Sequence, residues 1–179
     1  SNVKEIERVI DLLRQSKRPL VLAGQGLRIA DAVAEFSNFL DQTGIPFVTP
    51  YLGVDLASTS QDLHVGVTGV KGERAANWAM QSCDLLLVFG SSMHVSVTGY
   101  EYEKFAPEAH IIVVDIDAAA FHKGNLKIDT LLHANLKYLI PEITLNLPNA
   151  EQIERWVFSL KKTRAAYPVI STSYSEGHP

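Results

Sequence analysis

Short apolar runs alternate with amphipathic stretches along most of the chain. Most of these runs are continuous and bounded by turn residues, the pattern of strands that are covered on both faces of a parallel sheet. The run DLLLVF is the strongest and the last run is the weakest. The predicted strands cover residues 19–23, 45–49, 84–89, 110–115 and 128–133.

The stretches between these runs carry apolar residues at helical spacing. They predict helices over residues 3–15, 30–43, 73–81, 136–143 and 153–162, with a loop containing Gly, Ser and Asp between residues 49 and 73. Alternating strands and helices imply right-handed crossovers between parallel strands. We therefore expect an α/β fold with a doubly wound, mostly parallel six-stranded Rossmann-like sheet and helices on both faces.

Length and local composition divide the chain into one domain and a tail. The 179 residues suit a single domain with its own core. From Tyr167 onward the sequence becomes polar, contains Pro, Ser and Gly, and loses its periodicity. We expect residues 1–166 to form the domain and residues 167–179 to be a linker toward a C-terminal domain outside this chain.

The overall composition is that of a soluble globular protein, with 46% apolar and 20% charged residues. A net charge of −4 and dispersed basic residues argue against a nucleic acid partner. No apolar run reaches the length of a membrane span and no signal peptide begins the chain, so we expect a cytoplasmic protein without a membrane partner. The single cysteine, Cys83, excludes an internal disulfide and a cysteine-based metal site, and is predicted to be a buried thiol.

Loops at the carboxyl ends of parallel strands are where such sheets bind ligands. The first candidate, Gly24-Gln25-Gly26, lacks the third glycine of a dinucleotide fingerprint because Ile29 stands there. Its glycines would let the backbone approach a phosphate at a helix start. A plain tight turn explains the same glycines equally well.

Two further candidate loops lie at the ends of the strands predicted for residues 84–89 and 110–115. In Gly90-Ser91-Ser92 the hydroxyls could bind a phosphate or sugar, or could cap a helix. In Asp115-Ile116-Asp117 an acid could hold a pair of ribose hydroxyls, or could cap a turn over residues 118–121.

Neither a metal site nor a catalytic residue is predicted. The six histidines include no pair spaced i, i+4 and no acid recurs at ligand spacing. A G-x-S-x-G nucleophile motif does not occur in the sequence.

The order of these motifs and the gaps between them resemble the central domain of the acetolactate synthase family of thiamine diphosphate-dependent enzymes. The resemblance extends from about Val3 to Tyr167. Its motifs are residues 18–26, 45–49, 52–53, 64–66, 84–90, 97–99 and 112–117, with glycines at 69 and 72.

This resemblance implies that the chain is part of a three-domain enzyme, in which thiamine diphosphate and magnesium lie between the first and third domains of paired subunits. The first, pyrimidine-binding domain would supply the activating glutamate, and the third, diphosphate-binding domain a Gly-Asp-Gly segment that this sequence lacks. The implied reaction cleaves or forms a carbon–carbon bond beside the carbonyl of a 2-oxo acid. The chain itself would be an inactive scaffold within a homodimer or tetramer.

Central domains of this family bind FAD or ADP in some members and nothing in others. Carried over by position, the cofactor-binding candidates are Gly24, Gln25, Gly26, Arg28, Leu52, Gly53, Gly90, Ser91, Asp115 and Ile116. Relatives that bind FAD tend to have arginines where Ser92 and Ser96 stand here. Since charge-assisted hydrogen bonds are the stronger kind, we expect an empty or weakly occupied pocket rather than tight FAD binding.

Two other functions fit parts of the sequence. A free-standing nucleotide-binding module would use the same loops without any attached enzyme. An NAD-dependent deacylase would share the sheet but would need a catalytic histidine and, usually, a set of zinc-binding cysteines, and the chain has one cysteine.

Overall fold

The two central strands of the sheet run side by side in full register. β1 pairs with β4 over five residues, from Pro19 opposite Leu85 to Ala23 opposite Phe89. The computed structural model describes residues 3–56, 62–117, 126–147 and 151–169. Its strands are β1 (Pro19–Ala23), β2 (Phe47–Thr49), β3 (His64–Val67), β4 (Leu85–Phe89), β5 (His110–Asp115) and β6 (Thr130–His133).

Seven α-helices and three short 3-10 turns connect and cover these strands within the described ranges. The helices are α1 (Val3–Gln15), α2 (Gly26–Ile29), α3 (Val33–Thr43), α4 (Arg74–Ser82), α5 (Val95–Thr98), α6 (Leu136–Asn146) and α7 (Glu154–Ala166). The 3-10 turns cover Tyr51–Leu56, Tyr102–Lys104 and Glu151–Ile153.

The sheet has the strand order β3-β2-β1-β4-β5-β6, and every pair of neighbours is parallel. The chain therefore winds outward from β1 in one direction and then, from β4, in the other. This confirms the predicted doubly wound fold. It also places the reversal between β1 and β4, the point at which sheets of this kind bind ligands.

Alternate side chains of each strand enter two separate cores, one on each face of the sheet. In β1, Val21 belongs to the core under α1, α3 and α6, whereas Leu20 and Leu22 belong to the core under α4 and α7. Both faces are buried, which explains why the strand sequences are continuously apolar. The expectation of helices on both faces is confirmed.

The prediction of a loop between residues 49 and 73 is wrong, because β3 lies within it. β3 is an edge strand of four residues that contains a glycine, so it lacks the apolar run that revealed the other strands. Smaller differences concern the helices. The second predicted helix begins at Val33 rather than at residue 30, the loop before it contains the short helix α2, and the Ser-rich turn after β4 contains the short helix α5.

The outer edge of β3 is covered by polar groups from two helical segments. The Arg164 guanidinium of α7 donates to the His64 carbonyl oxygen (2.8 Å). The Val67 N–H donates to the Glu73 carboxylate (3.0 Å), and the Glu73 N–H donates to the Val67 carbonyl oxygen (2.7 Å). These bonds occupy backbone groups that an open edge would offer to another strand.

Two buried titratable side chains are held in their neutral forms. Burial raises the pKa of the Cys83 thiol to about 12, which confirms the prediction of a buried structural cysteine. Burial, with repulsion from Arg164 as the second cause, lowers the pKa of His64 to about 4. The His64 ring stacks on Phe47 (4.9 Å between centroids), and its Nε2 lies 3.1 Å from the Thr49 hydroxyl.

We predict that His64 makes the fold sensitive to mild acid. The unfolded chain binds a proton at this ring near pH 6.5, but the folded chain does so only near pH 4. The free energy of unfolding should therefore fall as the pH drops from 6.5 to 4, by on the order of 1–3 kcal/mol from this residue. Urea titrations across this range should show a smaller fall for His64→Gln, whose amide can still bond Thr49. Equal falls in both proteins would contradict the prediction.

Candidate functional site

A cavity of about 410 Å³ opens at the carboxyl end of the sheet, where the winding direction reverses. The loops after β1, β4 and β5 form its centre. The 3-10 turn after β2 and the start of α6 form its sides. Its lining includes eight of the ten predicted cofactor-binding residues: Gly24, Gln25, Gly26, Leu52, Gly90, Ser91, Asp115 and Ile116.

The floor of the cavity is a direct contact between two backbone loops. Gly24 N–H donates to the Phe89 carbonyl oxygen and Gly26 N–H to the Gly90 carbonyl oxygen, both at 2.9 Å. A Cβ atom at position 24 would lie 2.3 Å from that Gly90 oxygen, and one at position 26 would lie 2.6 Å from the Gly90 Cα. Loop packing alone thus requires these glycines, as in the tight-turn interpretation.

The polar side chains of the cavity are partly engaged by their own loops. The buried Ser91 hydroxyl accepts a long bond from the Met93 N–H (3.4 Å), and Asp115 Oδ1 accepts from the Asp117 N–H (2.9 Å). His94 caps α5 by accepting from the Ser96 N–H at Nδ1 (3.2 Å). The turn over residues 118–121, the alternative role considered for Asp115, lies outside the described residues.

Asp115 keeps one oxygen for a ligand. Within the described ranges no hydrogen bond reaches its Oδ2. The backbone next to it is fixed, because His133 Nε2 lies 2.6 Å from the Ile116 carbonyl oxygen and donates to it. A carboxylate in this position, at the end of a central parallel strand, can accept the hydroxyls of a ribose.

The rim of the cavity is apolar and unusually exposed. The Tyr51 side chain is 80% exposed, and Leu52, Ile29 and Ile116 beside it are also exposed. Isolated exposed apolar residues are common, but several around one concave site favour a ring-shaped ligand above a polar floor.

Two of the predicted residues do not line the cavity. The Arg28 guanidinium pairs with the Asp55 carboxylate, and the hydrogen bond from Arg28 is the main cause that lowers the pKa of Asp55. Gly53 packs behind the cavity, where an added Cβ would lie 2.8 Å from the Ala23 carbonyl oxygen. The Arg28 guanidinium could therefore bind a ligand only if its ion pair with Asp55 were broken.

Several lining residues were missed by the sequence analysis, among them Tyr51, His94 and Asn135. The signal for two of them was available. Tyr51 closely follows β2 and Asn135 closely follows β6, so the rule that was applied to the loops after β1, β4 and β5 extends to them. His94 carried no signal, since its place depends on the path of the loop that leads into α5.

The described lining of the cavity carries little charge. Among these residues Asp115 is the one carboxylate, and neither Lys nor Arg is present. This part of the lining therefore offers an apolar rim and one hydrogen-bond acceptor, without a cation of the kind that phosphates bind best.

The described residues form neither a metal-binding cluster nor a membrane-spanning helix. No group of three or more His, Cys, Asp or Glu side chains is placed to hold a metal ion. Nor is any helix in this part of the chain long and apolar enough to cross a membrane.

Comparison with known proteins gives one family. The profile of the family described as "Thiamine pyrophosphate enzyme, central domain" matches residues 6–143. The chain is 34% identical to the acetolactate synthase large subunit of Corynebacterium glutamicum, over 93% of this chain and 27% of that protein. It is 32% identical to acetolactate synthase isozyme 2 large subunit of Escherichia coli K12, over 78% of this chain and 25% of that protein.

A third relative gives a similar match. The probable acetolactate synthase large subunit of Methanocaldococcus jannaschii is 32% identical over 88% of this chain and 27% of its own length. The chain thus spans about a quarter of the length of the relatives that it matches.

We predict that the loop contact beneath the cavity tolerates no side chain. Gly24→Ala would place a methyl group against backbone atoms that cannot rotate away, so it should lower the free energy of unfolding by about 3 kcal/mol. Gly44→Ala is the control. Gly44 ends α3 in the left-handed region, with φ 67° and ψ 11°, where an alanine should cost about 1–2 kcal/mol. Equal losses in urea unfolding would contradict the role of the contact.

Proposed function

This chain belongs to the family of thiamine pyrophosphate enzyme central domains, and on that premise we propose that it is the central scaffold domain of a larger, acetolactate synthase-like enzyme that acts on 2-oxo acids. The observation that carries the proposal is similarity along nearly the whole chain to about a quarter of each relative. The remaining length of those relatives leaves room for two flanking domains.

The proposal assigns the chemistry to those flanking domains. Thiamine diphosphate supplies a nucleophilic carbon for reactions beside a carbonyl group. In this proposal the flanking domains bind it with magnesium, across paired subunits. The contribution of this chain is a rigid, doubly covered sheet that sets the distance and orientation of its neighbours.

We further propose that the cavity holds the adenosine part of FAD or ADP, and holds it weakly. Asp115 would accept the ribose hydroxyls, and the apolar rim around Tyr51 would cover the adenine. The described lining offers the phosphates the hydroxyls of Ser91, Ser92 and Ser96, but no cation. Neutral hydrogen bonds to a phosphate are weaker than charged ones, so a dinucleotide gains little from its diphosphate here.

We predict that the 179-residue chain alone does not consume pyruvate in the presence of thiamine diphosphate and magnesium, since the groups assigned to cofactor activation lie in other domains. The assay follows pyruvate loss and acetolactate formation, with a full-length acetolactate synthase as the positive control. Turnover by the pure chain would contradict the assignment of catalysis to the flanking domains.

We also predict that arginines at positions 92 and 96 strengthen FAD binding. Both serines are exposed and line the cavity, so Ser92→Arg with Ser96→Arg would place two cations beside the proposed phosphate position. The dissociation constant, measured by flavin fluorescence, should fall about tenfold.

Ser37→Arg is the matched control for this experiment. It adds one positive charge, the same as Ser92→Arg alone and half that of the double variant, on an exposed position of α3 that does not line the cavity. Tightening by Ser37→Arg to the same extent would mean a general charge effect, and no tightening by the cavity variant would reject the proposed phosphate position. Ser92→Arg alone separates the cation from any disturbance of the His94–Ser96 cap.

A further inference from the structure

A second concave site lies at the opposite end of the sheet from the cavity. This groove, of about 620 Å³, is formed by the turn between α1 and β1, the last part of α4 and the first part of α7. It contains an aromatic platform, hydroxyl groups and charges of both signs. Its lining is Lys17, Arg18, Trp78, Ser82, Glu151, Gln152, Glu154, Arg155, Trp156 and Ser159.

The floor of the groove is a fixed pair of indole rings. Trp156 is buried, and its Nε1–H donates to the Pro19 carbonyl oxygen at 2.9 Å. Trp78 lies against it with 5.7 Å between ring centroids, and 42% of its side chain remains exposed. The exposed part of Trp78 is therefore a flat apolar surface, supported from below, on which another ring can stack.

Cationic side chains on two elements line the groove beside this platform. The ammonium group of Lys17 and the guanidinium group of Arg155 form no ion pair with any residue that the structure describes. The backbone that carries Lys17 is fixed, because the Asp84 carboxylate accepts its N–H at 2.9 Å. Arg18 is already engaged, with the Ser82 carbonyl oxygen (2.6 Å) and the Glu108 carboxylate (3.0 Å).

We propose that this groove binds a small planar aromatic monocarboxylate. The ring would stack on Trp78, and the carboxylate would pair with Lys17 and Arg155, since a planar guanidinium group suits a carboxylate. Arg18 is neutralised by Glu108, so the cations left for a ligand are Lys17 and Arg155. These two suit one carboxylate, whereas Glu151 and Glu154 repel a second negative charge.

The chain itself provides the probe for a test. Trp78 and Trp156 are its two tryptophans, so both indole N–H signals in a nitrogen-15 correlation spectrum report on the groove. Titration with benzoate should move the Trp78 signal saturably, with a dissociation constant in the millimolar range. Benzyl alcohol, which has the ring without the charge, and phenyl phosphate, which has two charges, should each bind at least fivefold more weakly.

Substitution of the two cations tests where the carboxylate of benzoate binds. Arg155→Gln and Lys17→Gln should each weaken benzoate binding about fivefold. Lys162→Gln, which removes an exposed cation from α7 outside the groove, should leave it unchanged. An undisturbed Trp156 signal in the unliganded variants verifies that the indole pair is intact.

Any of four results would overturn the proposal. Three of them are the absence of a saturable shift at benzoate concentrations up to 20 times the expected dissociation constant, equal binding of benzyl alcohol, and equal losses for Lys162→Gln and Arg155→Gln. Tighter binding of phenyl phosphate than of benzoate would reject the monocarboxylate class. The inference does not depend on the proposed function. Benzoate titration reports on this groove and FAD titration reports on the cavity at the other end of the sheet, so either proposal can fail without the other.

Discussion

The contact between the loop after β1 and the loop after β4 is the constraint on which the rest of the structure depends. The two central strands are paired over five residues, so their carboxyl ends arrive together and the loops that leave them meet. The two loops can turn away from the sheet only if no side chain lies between them. Gly24 and Gly26 on one loop and Gly90 on the other, with φ of 58°, meet that condition. The glycines are therefore explained by the fold before any ligand is considered.

Helix α7 completes the domain although it lies beyond the residues that the family profile matches. The profile ends at residue 143, whereas Trp156 and Leu160 of α7 belong to the core on the α4 side of the sheet. Arg164 of the same helix covers the edge of β3. At its end Tyr167 lies beneath the Arg74 guanidinium, 5.5 Å from the ring centroid. These contacts make α7 part of the packed fold. The division at residue 166 into a domain and a linker stays a prediction, and residues 170–179 lie outside the described part.

The features that depend on burial were predictable from the sequence. Those that depend on contacts between residues far apart in the sequence were not. Strands β1, β4 and β5 are buried on both faces, so their apolar runs identified them directly. β3 was missed because it is a four-residue strand, HVGV, that contains a glycine and so lacks an apolar run. The loops around the cavity were predictable from strand ends, but the pairing of Arg28 with Asp55 was not. That pair joins residues 27 positions apart, and only the path of the chain between them brings the two side chains together.

A cavity at the reversal of such a sheet is a consequence of topology, and its presence alone does not identify a ligand. Two crossovers that leave in opposite directions must open a gap above the strand ends, whatever residues line it. The residues that line the gap set its charge, and that charge decides which ligands it can hold. Here the described lining has one carboxylate and no Lys or Arg, while the described lining of the groove at the opposite end has three cations and two carboxylates. The gap itself does not depend on such charges, because the glycine contact beneath it is made by backbone atoms alone.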